Sequence, residues 1–268
     1  MSEYKFLGNL ILTGKIRCKT ALHIGGSKDA YEIGGMDNPV IKTIRGVPYI
    51  PGSSLKGKLR SLLEWSLGKV TSSETCKCGK ADCEVCRIFG TSADKGTKFG
   101  PTRLVVRDAP LTEESEDELK ALGSTTFTEV KTETAIDRLS GKAKDGSLRP
   151  IERVPEGTEF EFSMVYSVYS SGDTVEIKDI NGEKVDVDTD IAFFPHVLNA
   201  MALLEDSYLG GMGSRGSGQV EFKDLKLVFR GKDYYLKGAL EKPIELGDDP
   251  LKMEKEKVSQ KVSEVMGK

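Results

Sequence analysis

Residues 9–24 read NLILTGKIRCKTALHI, and their polarity alternates. One parity of this segment carries Thr13, Lys15, Arg17 and Lys19, and the other carries apolar residues: Leu10, Leu12, Ile16, Cys18, Leu22 and Ile24. A period of two residues is typical of a strand that buries one face. We therefore predict a first β-strand over residues 9–24, with an apolar face and a basic face.

Two helical segments and three further strands complete the pattern of the core. Leucines recur with the spacing of one helix face at Leu55, Leu59, Leu62 and Leu63, and we expect Ser53 or Ser54 to cap this helix. A second helix is predicted over residues 191–207. Alternation predicts strands over residues 103–108, 160–168 and 220–227. This order is the split βαβ pattern, which predicts an α+β, ferredoxin-like fold with large insertions.

The insertions carry weaker signals. Residues 111–123 predict a short acidic helix that Thr112 caps and Gly123 ends. Residues 125–153 mix charges with little apolar periodicity, which favours an extended hairpin. Asn181-Gly182 indicates a hairpin turn within an acidic stretch.

The composition describes a globular chain of 268 residues, of which 38% are hydrophobic and 30% charged. No apolar run approaches the ~18–20 residues of a membrane helix, and the N-terminus lacks a secretory signal. We therefore predict a cytoplasmic protein with no membrane partner. Since the net charge is −3, any nucleic-acid binding must come from local basic clusters.

Four cysteines lie close together in a polar insert, at Cys76, Cys78, Cys83 and Cys86. Four thiolates at such spacing can close a tetrahedral site around Zn²⁺. Free surface thiols or two disulfides are the alternatives. A reducing compartment disfavours disulfides, and dense free thiols are prone to oxidation. We predict a structural zinc site, which leaves no open position for catalysis.

The start of the first predicted helix is rich in hydroxyls and cations. Lys56 and Arg60 share one face, Lys58 lies nearby, and Ser53 and Ser54 precede them. Cations at a helix N-terminus are unfavourable there unless an anion binds, because this end carries partial positive charge. The cluster indicates a phosphate-binding site, with an ordinary solvated basic face as the alternative.

Residues 210–218 form a late glycine-rich loop with the spacing of a dinucleotide-binding motif. The loop follows a helix and precedes a strand, which is the reverse of the required order and excludes a Rossmann site. Its backbone can approach a ligand closely, and Arg215 supplies one cation. An ordinary helix-to-strand turn is the alternative.

An early glycine-rich loop, residues 25–39, contains Asp37 and has His23 at its base. A carboxylate on a loop can hold a divalent ion or accept a proton. Asp37 could equally be a turn residue, and His23 a partly buried histidine without a catalytic role.

In their order along the chain, these motifs resemble the RAMP superfamily of CRISPR proteins. Within it they most resemble the repeated backbone subunit of the type III-A (Csm) effector complex. The resemblance covers roughly residues 8–230, and the cysteine insert departs from it because many members lack such an insert. The segments that carry it are Leu22-His23-Ile24-Gly25-Gly26, Asp37-Asn38-Pro39-Val40-Ile41-Lys42, Ile50-Pro51-Gly52-Ser53-Ser54-Leu55-Lys56-Gly57-Lys58-Leu59-Arg60, Arg107-Asp108-Ala109, Thr128-Glu129-Val130-Lys131, Ile136-Asp137-Arg138 and Gly210-Gly211-Met212-Gly213-Ser214-Arg215-Gly216.

The resemblance implies a modified RRM-like core whose copies stack, with other Csm subunits, into a filament along the CRISPR RNA. It implies an endoribonuclease of antiviral defence that cuts target single-stranded RNA at regular intervals, using Mg²⁺ or another divalent ion. A hairpin thumb would interrupt the guide–target duplex. The family's catalytic aspartate falls on Asp37, with His23 assisting. The expected RNA-binding residues are Ser53, Ser54, Lys56, Lys58, Arg60, Lys131, Arg138, Gly211, Gly213 and Arg215.

We hypothesise in-line attack by the target's own 2′-hydroxyl, with Asp37 holding the divalent ion or accepting the proton. Further carboxylates lie near the expected RNA path but are assigned no catalytic role: Asp108, Glu129, Glu133 and Glu152. The alternatives are a non-catalytic guide-binding structural subunit, a guide-processing endoribonuclease of the same superfamily, and a backbone subunit of the related Cmr complex.

The sequence patterns and the resemblance together divide the chain into six segments. They are the first part of the core with the catalytic loop (1–67), the four-cysteine zinc insert (68–100), a core strand and helix (101–124), the thumb hairpin (125–155), the second part of the core with an acidic insert and the glycine-rich loop (156–247), and a charged tail (248–268).

Overall fold

The computed structural model describes residues 4–26, 38–71, 74–91, 100–170, 172–178 and 184–267. Asp37 and the predicted Asn181-Gly182 turn lie outside the described residues. The strands are β1 (Lys5–Cys18), β2 (Tyr49–Ile50), β3 (Leu104–Val106), β4 (Ala109–Pro110), β5 (Glu129–Glu133), β6 (Arg149–Arg153), β7 (Glu159–Ser170), β8 (Thr174–Lys178), β9 (Lys184–Asp188), β10 (Val220–Gly231) and β11 (Lys242–Ile244). The helices are α1 (Gly52–Ser66), α2 (Glu84–Phe89), α3 (Glu113–Ala121), α4 (Thr189–Phe193), α5 (Pro195–Glu205), α6 (Lys232–Lys237) and α7 (Lys255–Met266).

One five-stranded sheet organises the chain, in the order β11-β10-β1-β7-β3. All neighbouring strands are antiparallel. Helix α1 connects β1 to β3 by way of the cysteine insert, and α5 precedes β10. The predicted α+β class is therefore confirmed, and the order β10-β1-β7-β3 follows the split βαβ pattern.

The alternation in β1 produces the buried face that the sequence predicts. Leu10, Leu12 and Ile16 are at most 2% exposed and belong to one hydrophobic cluster with Leu55 of α1 and Leu204 of α5. The apolar face of the strand, which repeats every two residues, therefore packs against the apolar faces of the two helices, which repeat every 3.6 residues.

The predicted end of the first strand and the predicted cap of the first helix are wrong. Strand β1 ends at Cys18 rather than at residue 24, because the chain then leaves the β10 ladder and Leu22 pairs with Val154. Neither Ser53 nor Ser54 caps α1: Pro51 occupies the N-cap, and both serines lie in the first turn.

The helix predicted over residues 191–207 is two helices, α4 and α5, separated at Phe194. Pro195 begins α5 and has no N–H to continue the hydrogen bonds of α4. By contrast, the predicted acidic helix is present as α3. Its Thr112 cap is confirmed, because Thr112 Oγ1 accepts a hydrogen bond from Ser115 N at 3.2 Å.

Both predicted hairpins are present. Strand β5 pairs with β6, and β8 pairs with β9 across the segment that contains the predicted turn. Within the described residues, no helix combines the length and the apolar character that a membrane crossing requires.

A buried ion-pair cluster, not predicted from sequence, attaches the cysteine insert to the core. Asp190, at the start of α4, accepts hydrogen bonds from Arg87 Nε of α2 at 2.5 Å and from Arg103 Nε, beside β3, at 2.6 Å. All three side chains are at most 1% exposed. Removal of one partner would leave a buried charge uncompensated, so the cluster fixes how α2, α4 and the sheet edge pack together.

Candidate nucleic-acid interface and metal centre

The early glycine-rich loop is closed at its base by a short ladder. Ile41 N donates to Ile24 O at 2.9 Å, and Gly26 N donates to Pro39 O at 3.0 Å. The described residues that flank the loop, Ile24–Gly26 before it and Pro39–Ile41 after it, are therefore hydrogen-bonded to each other directly after His23.

His23 links this base to two other segments. Its Nδ1 lies 2.7 Å from the carbonyl oxygen of Glu152, in β6, and its own carbonyl accepts a hydrogen bond from Gly211 N at 2.8 Å. A carbonyl only accepts, so Nδ1 carries the proton. His23 is buried, and its contacts hold the early loop, the β5–β6 hairpin and the late loop together.

Glu152 is the second part of this junction. Its buried carboxylate accepts hydrogen bonds from Val40 N at 2.8 Å, Lys42 Nζ at 2.5 Å and Thr128 Oγ1 at 2.6 Å. Its backbone N donates to Asn38 O at 3.3 Å. Burial raises the pKa of Glu152, but these hydrogen bonds outweigh burial and lower that pKa overall. The sequence placed Glu152 near the RNA path without predicting this anchoring of the early loop.

The late glycine-rich loop is closely packed on its surroundings. Gly210 has a φ of +76°, and a Cβ at this position would lie 2.2 Å from the carbonyl oxygen of His23. A Cβ at Gly213 would lie 1.8 Å from Cγ of Tyr208. At both positions, a side chain would clash with these neighbours, so only glycine fits without a shift of the surrounding atoms. Tyr208 was not predicted from the sequence, although an aromatic residue two positions before a glycine-rich loop is a signal that could have indicated it.

The predicted cations Arg215 and Lys131 meet at one carboxylate of the hairpin. Arg215 NH1 lies 2.8 Å from Oε2 of Glu133, and Lys131 Nζ lies 3.7 Å from its Oε1. Arg215 remains 62% exposed. Further along the hairpin, Arg138 is exposed beside the fully exposed Leu139.

At the start of α1, the predicted phosphate site is partly filled by the protein itself. Asp108 Oδ1 accepts a hydrogen bond from Gly52 N at 2.7 Å. Ser53 is exposed and Ser54 half-buried. A carboxylate of the chain thus already accepts from the first N–H of the helix, at the position where the sequence predicted a phosphate.

The three cations of α1 differ in their partners. Arg60 donates from Nε to Glu64 Oε1 at 2.9 Å and from NH2 to the Cys76 carbonyl at 2.8 Å, so it supports the cysteine insert. Within the described part of the chain, Lys56 and Lys58 form no ion pair. Burial lowers the pKa of both lysines, and Arg60 lowers that of Lys56 further. Two partly desolvated ammonium groups therefore lack a counter-charge that a phosphate would supply.

The four cysteines converge on one point. Their sulfur atoms all lie within 4.8 Å of one another. Cys76 is 3.9 Å from Cys83 and 3.7 Å from Cys86, and Cys78 is 3.7 Å from Cys86. A tetrahedral Zn²⁺ with Zn–S bonds of ~2.3 Å separates its sulfurs by ~3.8 Å. The residues therefore fit a four-thiolate metal site.

Comparison with known families agrees with this geometry. Residues 15–221 match the RAMP superfamily. The chain belongs to the RAMP superfamily. A protein named CRISPR system Cms endoribonuclease Csm3 from Methanothermobacter thermautotrophicus is 43% identical over 86% of this chain and 90% of its own length. The protein of the same name from Methanocaldococcus jannaschii is 40% identical over 88% of this chain and 87% of its own.

Solved structures resemble this RAMP protein over most of its length. A Csm3–Csm4 subcomplex of the type III-A CRISPR-Cas interference complex aligns with a TM-score of 0.58 and 28% identity, covering 96% of this chain and 97% of the other. Csm3 of Methanopyrus kandleri aligns with a TM-score of 0.56 over 87% of this chain and 80% of its own, and at 23% identity it supports the fold alone.

The junction predicts a pH-dependent stability. Glu152→Gln should lower the free energy of unfolding by about 1–3 kcal/mol at neutral pH, because it weakens charged hydrogen bonds. The folded-state pKa of Glu152 lies below its ordinary value of 4.5. The carboxylate's contribution is therefore present above pH 4.5 and is lost as the pH falls through the folded pKa.

Denaturant titrations of both proteins from neutral to acidic pH measure this effect. Glu129→Gln, at an exposed ion pair of the same hairpin, is the matched control and should cost less than about 1 kcal/mol. A Glu152→Gln deficit that does not shrink in acid would contradict the prediction.

Proposed function

We propose that this RAMP protein is a guide-RNA-binding filament subunit of a type III-A CRISPR complex and the endoribonuclease that cleaves the guide-bound target RNA. One observation carries the proposal: the early loop, the β5–β6 hairpin and the late glycine-rich loop are tied together at His23 and Glu152. The names of its relatives as Csm3 endoribonucleases support the reaction class.

The cations of α1 and of the late loop bind the guide through its phosphates. Lys56 and Lys58 lack anionic partners among the described residues, and Arg215 is exposed. Contacts of Lys and Arg with phosphates carry no sequence information, which suits a protein that holds arbitrary guides. Base pairing then reads the target. Ser53, Ser54, Gly211 and Gly213 bring backbone and hydroxyl groups to the same RNA path.

Asp37 is the proposed catalytic residue. It would hold a divalent ion or accept the proton of the target's 2′-hydroxyl. The 2′-oxygen then attacks the adjacent phosphate, a 2′,3′-cyclic phosphate forms, and the 5′-oxygen of the next nucleotide leaves and takes up a proton from water. His23 acts as a positioning residue, because its Nδ1 proton is directed to the Glu152 carbonyl. The β5–β6 hairpin, with Lys131 and Arg138, serves as the thumb that separates the guide–target duplex at intervals. Other copies of the chain and other Csm subunits complete the filament.

The four cysteines hold a structural Zn²⁺. Among its described residues the insert contains one short helix, α2, whose Val85, Ile88 and Phe89 pack into the core. Bound metal would fix the polar segment that precedes this helix. Arg60 and Glu64 of α1 bind the two backbone groups of Cys76, since Glu64 Oε1 accepts from Cys76 N at 3.0 Å. The metal site thereby supports the helix that carries the guide-binding lysines.

Cleavage of target RNA by the reconstituted, guide-loaded complex tests the function. With Mg²⁺, the wild type should produce a ladder of regularly spaced products. Asp37→Ala should abolish the ladder while guide binding persists, because the guide is held by other residues. Asp248→Ala, an exposed carboxylate outside the proposed site, is the matched control. An Asp37→Ala complex that still cuts refutes the catalytic assignment, and a wild-type complex that never cuts refutes the nuclease.

Metal analysis of the purified chain tests the zinc site. We expect about one zinc per wild-type chain and a loss of zinc, with a lower melting temperature, in Cys83→Ser. Cys18→Ala is the control, because Cys18 is buried in β1 outside the cluster and burial raises the pKa of its thiol to about 12. Full zinc content in Cys83→Ser would contradict the four-cysteine site.

A further inference from the structure

Tyr208 connects the two segments that are proposed to bind the guide. It lies between the end of α5 and the late glycine-rich loop, and its side chain is 37% exposed. The Nζ atom of Lys58, on α1, lies 3.9 Å from the centre of the Tyr208 ring. This is a cation–π contact at close range.

The same ring lies against the backbone of the glycine-rich loop. A Cβ at Gly213 would be 1.8 Å from Tyr208 Cγ and 2.1 Å from Cδ1, so a side chain at residue 213 would displace the ring. Gly213 begins a one-turn 3₁₀ helix that ends at Arg215. The ring therefore contacts both the lysine of α1 and the turn that presents the loop's cation.

These contacts favour a positioning role over stacking on a base. The ammonium of Lys58 and the backbone of residue 213 already lie against the ring. A long lysine side chain loses rotamer freedom when it binds a phosphate, and a prior contact with the ring removes part of that cost.

We infer that Tyr208 is a positioning residue for guide RNA: its ring holds the Lys58 ammonium beside the glycine-rich loop, so that both contact one stretch of RNA backbone. This inference rests on the proposed guide-binding function. It assigns Tyr208 a role through Lys58 and not through direct contact with RNA.

Binding of a fluorescein-labelled single-stranded RNA that carries a CRISPR repeat, measured by anisotropy over a series of salt concentrations, tests the inference. Lys58→Met should weaken binding and reduce the slope of log affinity against log salt by about 0.7, the value for one phosphate contact on a single strand. Tyr208→Leu should give the same reduction, and Tyr208→Phe should restore wild-type behaviour because it keeps the ring.

A double-mutant cycle separates positioning from general structural damage. Tyr208→Leu should add nothing to Lys58→Met if the two residues act as one unit. Tyr234→Leu is the matched control, because Tyr234 of α6 forms another cation–π pair, in which Arg230 lies 5.0 Å from the centre of the ring. If the two effects add, or if Tyr208→Leu binds like the wild type while Lys58→Met binds more weakly, the positioning role of Tyr208 is overturned and the guide surface on α1 still stands. Unchanged binding by both Lys58→Met and Lys56→Met refutes the guide surface on α1, and the inference with it.

A spectroscopic measurement on the folded wild type does not depend on a stable Tyr208 variant. Reductive ¹³C-methylation labels the lysine amines, and Lys58→Arg assigns the Lys58 signal by its disappearance. The Tyr208 ring current should shift this signal upfield of the other lysines. A Lys58 signal at the position of a freely solvated lysine overturns the inference.

Discussion

The buried junction of His23 and Glu152 is the constraint on which the arrangement of the site depends. Through hydrogen bonds of 2.5–3.3 Å, Glu152 fixes Asn38, Val40 and Lys42, which are three of the first five described residues after Asp37. His23 binds the hairpin on one side and Gly211 on the other. Three segments that are distant in sequence thus share one rigid base, which is how a loop can present a carboxylate at a defined place.

The fold assigns the cations of α1 to different tasks. Arg60 donates to Glu64 and to the cysteine insert, whereas Lys56 and Lys58 form no ion pair within the described residues. The buried cluster of Arg87, Arg103 and Asp190 then locks that insert to the sheet edge. The proposed zinc site and the proposed guide surface therefore both involve α1. The cysteine insert is hydrogen-bonded to α1 through Arg60 and Glu64, and the proposed guide surface consists of lysines on the same helix.

The sequence predicted the core well because periodicity is a local signal. The parity of residues 9–24 and the leucine stripe of α1 report which faces are buried, and the sheet and helix confirm both. The same local signals failed at boundaries. Serines near a helix start suggested a cap, but Pro51 occupies the N-cap position and Asp108 accepts from the first N–H of the helix. A continuous apolar pattern concealed the break at Pro195.

What the sequence could not predict are contacts between distant segments. Glu152 lies 112 residues from Val40, and Arg103 lies 87 residues from Asp190, so no spacing rule connects them. Tyr208 is similar, because its contact with Lys58 of α1 joins residues that are far apart in the sequence. Of the candidate site, sequence patterns identified the segments, and only the packing of those segments identified the residues that hold them together.

The most direct test of this account is the single-turnover rate of target-RNA cleavage by complexes that contain Glu152→Ala or Glu129→Ala. Both residues belong to the same hairpin, but only Glu152 anchors the early loop. We expect Glu152→Ala to slow cleavage by about a hundredfold, since a displacement of ~1 Å at a catalytic group has an effect of this size. Guide affinity should be preserved, and Glu129→Ala should cleave normally. Wild-type cleavage by the Glu152→Ala complex would contradict the account.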